Sequence, residues 1–444
     1  MTRNHIRTMA AVIVSVGALV VSACSSSTGA SSANTSGGAT GSQQSQASST
    51  DTPVTLTVWG WLPDQASAFN GLFAKFTATH PNIKVQYQGY PVQNYQTQLN
   101  AGLSGSNGPD IATLQAYGGL QPNIDSGSLV AITDKTVPGI SAFPTPILDA
   151  ARSTKSGGIY GVPYAVQDLG VFYNEDIFAK YNLKAPTTWD EFIQACETLK
   201  KAGVIPMSWE SKDANAQPRK HETMGAAVYG GPSFTSDFLA GKTKMTDKPF
   251  VDSFQVMKDI MPYLPPDFAA LDDPGEQTLF TSGKAAMVTG GVWQIDTWRQ
   301  AGVKNLGFFP MPPGPGAASD HPLVTFYVDG SFGINSKSPH QSAALELLNW
   351  MTTKDFGNAI ATDVSMIPVV PGTKPTDPLV QEINAIQQKE SNTFLCYAYL
   401  NGGSPTCSDL VSHAVQDVMT GGMSPADAAA SVQKGLDQWF APKK

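Results

Sequence analysis

Gly158-Ile-Tyr-Gly-Val-Pro-Tyr164, followed closely by Leu169-Gly-Val-Phe-Tyr-Asn174, reads as an extended segment that crosses out of one sheet and enters another. Two sheets imply two lobes, and the length agrees. The chain has 444 residues, more than the roughly 250 to 300 at which a single hydrophobic core stops growing.

Upstream of the crossing, Val54-Thr-Leu-Thr-Val58 alternates at period two and ends in Trp59-Gly60-Trp61, after which Phe69, Leu72, Phe73 and Phe76 recur at helical spacing. His80-Pro81-Asn82 turns into a second alternating strand, Ile83 to Tyr87. Tyr95 and Leu99 mark another helix before Gly108-Pro109-Asp110 and the short apolar run Ile111 to Leu114. Strands separated by helices argue an α/β protein with a largely parallel sheet covered on both faces. Ligands of such sheets bind beyond the carboxyl ends of the strands, which places Trp59, Trp61 and Asp110 near any binding site.

Downstream, Thr188 and Glu191 fit a capping box ahead of Phe192, Ile193, Cys196 and Leu199, so Cys196 belongs to a buried stripe. Phe280 to Trp293 reads as a helix end, a short strand and a glycine turn displaying a tryptophan. Asn305 to His321, dense in proline and glycine, is expected to be a non-helical connection between lobes. Ser338-Pro339 and Ser424-Pro425 both read as serine N-caps with proline at the first helical position.

The composition narrows the ligand. Only 14% of residues are charged and the net charge is −8, while Trp 8, Tyr 13 and Phe 20 make the chain aromatic-rich. Without a basic block beyond the extreme N-terminus, nucleic acid is excluded as a partner. Histidines 80, 221, 321, 340 and 413 show no metal-ligand spacing. Cys396 and Cys407 enclose a turn-rich stretch and are expected to pair in an oxidising compartment.

That compartment is indicated by the N-terminus. Arg3 and Arg7 precede an apolar run from Met9 to Val21 and then Ser22-Ala23-Cys24, the plan of an export signal. Val21-Ser-Ala-Cys24 resembles the lipobox of bacterial lipoproteins. The resemblance implies a signal peptide over residues 1–23 and lipidation of Cys24. Residues 24–52, rich in Ser, Thr, Gly and Ala, then read as a flexible tether reaching about 30 Å.

Four further stretches resemble the extracellular solute-binding proteins of bacterial ABC importers, in the sugar-capturing group that includes the maltose-binding proteins. They are Gly161-Val-Pro-Tyr164 with Phe172 to Phe178; Pro186 to Phe192; Phe280 to Met287 through Gly291-Val-Trp293; and Asp329-Gly330 leading to Ile334-Asn-Ser-Lys-Ser338. The resemblance implies a two-lobed fold of the periplasmic-binding type (type II), with an N-terminal lobe from 53–164 and 321–365 and a C-terminal lobe from 165–320 and 366–444. It implies no catalysis, no cofactor and no metal. It implies a neutral mono- or oligosaccharide as ligand, permease subunits of an ABC importer as partners, and a monomer on the outer face of the cell membrane of a Gram-positive cell.

A sugar has apolar C–H faces and a hydroxyl rim, so its cleft combines aromatic rings with Asp, Glu, Asn or Gln. By the resemblance, Trp293 is the leading stacking residue, followed by Tyr164. Trp61, Asp64 and Gln65 follow the first strand. Asp110, Gln167, Asp168, Trp209, Glu210, Asp329 and Gly330 complete the expected contacts. A surface glycoside hydrolase would need the same residue types plus two carboxyls set across a scissile bond, and a peptide or other small nutrient could also use an aromatic groove.

Overall fold

The computed structural model describes residues 53–442; the expected signal peptide, Cys24 and the whole of the expected tether lie outside the described residues. Ten strands make one hydrogen-bonded sheet. They are β1 (Val54–Gly60), β2 (Ile83–Gly89), β3 (Ile111–Gln115), β4 (Val162–Asn174), β5 (Ile205–Ser208), β6 (Ala285–Gly291), β7 (Leu306–Phe309), β8 (Val324–Ile334), β9 (Ile367–Pro368) and β10 (Ser391–Thr393). The main path runs β2-β1-β3-β8-β4-β6-β5, with β10 on β8 and with β7 and β9 on β4.

This corrects two expectations. The sheet is mixed, because β1/β2, β1/β3, β5/β6 and β8/β10 pair in parallel while β3/β8 and every pairing of β4 are antiparallel. The crossing segment also never leaves the sheet. Val162 to Leu169 pairs with β8, and Leu169 to Tyr173 pairs with β6. Two long antiparallel strands thus hand the ladder from one lobe to the other without breaking backbone hydrogen bonds, which an exit into irregular chain would leave unpaired. The register shifts around Ala165, and such irregularities bend a strand and sharpen its twist.

The helices used below are α1 (Ala66–Thr79), α2 (Val92–Ser104), α3 (Trp189–Lys201), α4 (Ala216–Tyr229), α5 (Lys248–Asp259), α6 (Asp273–Thr281), α7 (Gln341–Met351), α8 (Leu395–Tyr399), α9 (Cys407–Thr420) and α10 (Pro425–Leu436). The α3 capping box is formed by Thr188 and Glu191, and Ser424 caps α10 through the Asp427 N–H. Helix α7 starts two residues later than expected. Ser338 donates its hydroxyl to Asp110 at 2.6 Å while accepting the His340 N–H, so it closes a turn ahead of the helix instead of capping it. The stretch after Asn305 is non-helical as expected, but opens with β7.

Two large apolar clusters sit on either side of the crossing. One joins Leu56, Phe69, Phe73 and Phe76 to Phe332, Leu347 and Met351; the other joins Phe192, Cys196 and Trp209 to Phe250, Phe254, Val415 and Leu436. Cys196 is a buried free thiol, its pKa pushed up by burial. A further cluster, containing Val166, Phe172, Val324 and Val328, backs the crossing strands. The opposite face, with Gln167 set across from Tyr327, is left to form a site.

Candidate functional site

Two neighbouring cavities open over that face. The first, about 430 Å³, is lined by Trp61, Gln96, Gln115, Tyr327, Asp329, Phe394, Tyr397 and Asn401 among others. The second, about 390 Å³, is lined by Asp64, Leu169, Lys220, Asp273, Glu276, Gln277, Thr289 and Trp293 among others. Val92, Asp213 and Arg219 line both, so they form one cleft with two chambers. Its size is that of a small-molecule site.

Both tryptophans are seated on glycines. A β-carbon on Gly330 would fall 2.6 Å from the Trp61 ring, and one on Gly291 would fall 1.7 Å from the Trp293 ring. Any side chain at either glycine would displace its indole. Gly330 therefore supports Trp61 from behind. Trp61 also meets Tyr95 edge to face at 5.5 Å. Tyr327 and Tyr397 meet edge to face at 5.1 Å and close the first chamber.

Asp329 is held by the buried Tyr164, whose hydroxyl donates to Oδ2. Burial raises the Asp329 pKa; Tyr164 and Gln167, by donating to the carboxylate, pull it back down. Tyr164 is fully buried and packs against Phe332. It positions a cleft carboxylate and has no ring face to offer a ligand.

The second chamber is built around a buried ion pair. Lys220 on α4 donates to Glu276 on α6 and lies 3.6 Å from Glu210, with its ammonium 4.7 Å from the Trp209 ring centroid. Burial raises the Glu276 pKa to about 7 against the pull of Lys220, and raises that of Glu210 in the same way. Glu210 also accepts from the Asp213 N–H and the Gln217 amide. Trp209 and Glu210 are 0% exposed. The expectation that they touch ligand is thus replaced by a role as the floor beneath Lys220. Arg219 is different: it is half-buried, its guanidinium lies over Trp293 at 5.8 Å from the centroid, and among the described residues it has no ion pair.

Of the expected contacts, Trp61, Asp64, Trp293 and Asp329 line the cleft. Gln65 does not line either chamber, and its Oε1 is buried without a partner. Asp110 is spent elsewhere: its carboxylate accepts from the Thr57 N–H, the Thr57 hydroxyl and Ser338, tying β1 to the turn before α7. Gln167 and Asp168 are buried, and both Asp168 oxygens lack hydrogen-bond partners among the described residues. Burial lifts the Asp168 pKa to about 8, so it is a neutral acid at pH 7. Sequence reasoning missed Arg219, Asp213, Tyr327, Tyr397, Gln96 and Asn401. Tyr327 was within reach of it, because it stands two residues from Asp329 on one strand and shares its face.

No group of three or more His, Cys, Asp or Glu among the described residues could hold a metal. The sequence profile of the bacterial extracellular solute-binding proteins matches residues 59–357, a span that runs from the end of β1 past α7 and covers most of the cleft. The chain belongs to this family. Its members bind solutes and are not enzymes, so the hydrolase alternative falls.

Among relatives of this solute-binding protein, an ABC-transporter extracellular-binding protein of Pyrococcus horikoshii is 27% identical over 68% of this chain and 69% of its own. The lactose-binding protein of Rhizobium radiobacter is 26% identical over 68% and 71%. A solved chitin oligosaccharide binding protein superposes with a TM-score of 0.70 over 86% of this chain and 98% of its own at 20% identity, which establishes the two-lobed fold.

Proposed function

We propose that this protein is the capture component of an ABC importer for a neutral oligosaccharide. The observation that carries the reading is the two-chambered cleft, in which indole and phenol rings stand among carboxylates, amides and one uncommitted guanidinium. Rings cover the C–H faces of sugars, and carboxylates accept from their hydroxyls. Asp64, Asp213, Asp273, Asp329 and Asp409 would repel an anionic ligand. Relatives described as lactose-binding and maltotriose-binding support the same reading.

The proposed lobes are 53–164 with 321–365 and 165–320 with 366–444. The two large apolar clusters follow this division except at its edges, where Ala165, Met366 and Val370 pack with the first cluster and Leu323 with the second. Closure of the lobes brings the full set of contacts around the sugar and marks the loaded state for the permease. The protein works as a monomer, exported and held by lipid on Cys24 at the outer face of a Gram-positive membrane, with residues 24–52 as tether. Calorimetric titration with defined saccharides tests the ligand class: saturable binding of an oligosaccharide supports it, and binding confined to peptides or amino acids refutes it.

A further inference from the structure

The bond between Cys396 and Cys407 lies directly behind one wall of the first chamber. The cysteines are 3% and 0% exposed, so neither sulfur can meet a ligand. Their neighbours in sequence do: Phe394 and Tyr397 beside one cysteine, Thr406, Ser408 and Asp409 beside the other, and Asn401 in the loop between them all line the chamber. Without the bond, α8 and α9 would be joined only by a seven-residue irregular loop from Leu400 to Thr406.

That loop is held at its ends, by Leu400 buried in the core and by the Thr406–Asp409 capping box, and by contacts between them. The Cys407 N–H donates to the Leu400 carbonyl at 3.0 Å, the Ser408 N–H to Asn401 Oδ1 at 3.2 Å, and the Trp439 indole N–H to the Pro405 carbonyl at 2.8 Å. From this base Tyr397 reaches Tyr327 on β8 and Tyr117 beyond β3, edge to face, at 5.1 and 5.9 Å. The wall therefore gets its shape from covalent and hydrogen-bonded anchors outside the cleft. A wall already ordered before the ligand arrives spares binding the entropy of fixing its side chains.

We infer that Cys396 and Cys407 are positioning residues for solute capture: their bond presets the Tyr397–Asn401–Asp409 wall, and its loss weakens binding without dismantling the lobe. This rests on the saccharide reading given above. The test begins with lactose, raffinose, maltotriose and a chitin trisaccharide titrated into wild type. The tightest of them is then titrated into the folded C396A/C407A protein, with amide hydrogen exchange followed in both forms.

Removing the bond should raise Kd by about tenfold and speed exchange over 397–409, with α4 and α5 unchanged. W439F, which keeps the bond but removes the Pro405 anchor, should shift both readouts in the same direction by less. A folded double variant with Kd within about twofold of wild type would overturn the inference, as would faster exchange throughout the C-terminal lobe with affinity retained. Should the double variant not fold, W439F decides, and an unchanged Kd with a loosened loop overturns it. If none of the four saccharides binds wild type, the proposed function fails first and takes this inference with it; binding by wild type with no loss in the variants refutes the wall alone.

Discussion

The guanidinium of Arg219 lies over the indole of Trp293, 5.8 Å from the ring centroid; Arg219 lines both chambers and Trp293 the second. A planar cation over an aromatic ring keeps its N–H donors at the edge. On the proposed saccharide reading, a sugar reaching this pair meets the Arg219 donors beside the indole. Arg219 and Trp293 come from α4 and from the turn after β6, so both partners of this platform lie within the proposed C-terminal lobe.

Trp293→Ala should remove that platform and cost about 2 kcal/mol or more, a loss of at least about 30-fold in saccharide affinity. The indole is only partly buried, so the melting temperature should move little. Calorimetry and thermal unfolding on the same preparation check both statements. A large loss of stability with affinity kept would make Trp293 a core residue.

Lys220→Met should destabilise the protein by about 3 kcal/mol or more, because it leaves Glu276 and Glu210 buried without their cation. Urea unfolding at neutral pH measures it. Adding Glu276→Gln should recover part of the loss, since a buried amide is cheaper than a buried unpaired carboxylate. No recovery would show that Glu276 is not the partner that matters.

Much of the architecture was legible in local signals. The alternation of Val54 to Val58, the capping box at Thr188 and the short strand before Trp293 are each written in a few adjacent residues and form as read. The expected glycine turn, however, is the end of β6, and Trp293 sits in a 3-10 turn after it. What failed to show depends on distant partners. Ser338 looks like a helix cap until Asp110, 228 residues away, takes its hydroxyl. Pro218-Arg-Lys-His-Glu222 is dense in charge and is given no role from sequence, yet Lys220, His221 and Glu222 are all buried. Lys220 pairs with Glu276, Glu222 accepts from Tyr229 and Asn392, and burial keeps His221 neutral by lowering its pKa to about 3. Charge in a sequence reads as surface, and only the tertiary partners reveal a buried network. The same blindness hid Arg219 and placed Trp209 and Tyr164 in the cleft when both are buried beneath it.

Asp168 should make stability fall as pH rises. Its carboxyl titrates near pH 4 in the unfolded chain and at about 8 in the fold, so the unfolded state releases its proton first. Stability is full below about pH 4 and declines toward pH 8, by at most about 1.4 kcal/mol per pH unit from this group. Asp168→Asn cannot ionise, so its stability relative to wild type should rise across that window. Chemical denaturation at pH 5 and pH 8 tests the sign. A difference that is the same at both values would mean that Asp168 is charged in the fold.

Cys24→Ala should abolish lipid attachment and release the protein from membranes, since the proposed anchor rests on acyl chains at this cysteine. Metabolic lipid labelling with membrane fractionation decides it. Wild-type labelling in the variant would end the anchor assignment.

The central claim is that the two-chambered cleft captures an oligosaccharide by closing and leaves it intact. The most direct measurement is calorimetric titration of wild type with a panel of mono-, di- and trisaccharides, with scattering and product analysis on the same samples. The account predicts one-to-one binding of at least one oligosaccharide with Kd of about 1 μM or tighter, near −8.2 kcal/mol, a smaller radius of gyration on binding, and full recovery of the sugar. Cleavage of the sugar, or no saturable heat with any saccharide, would contradict it.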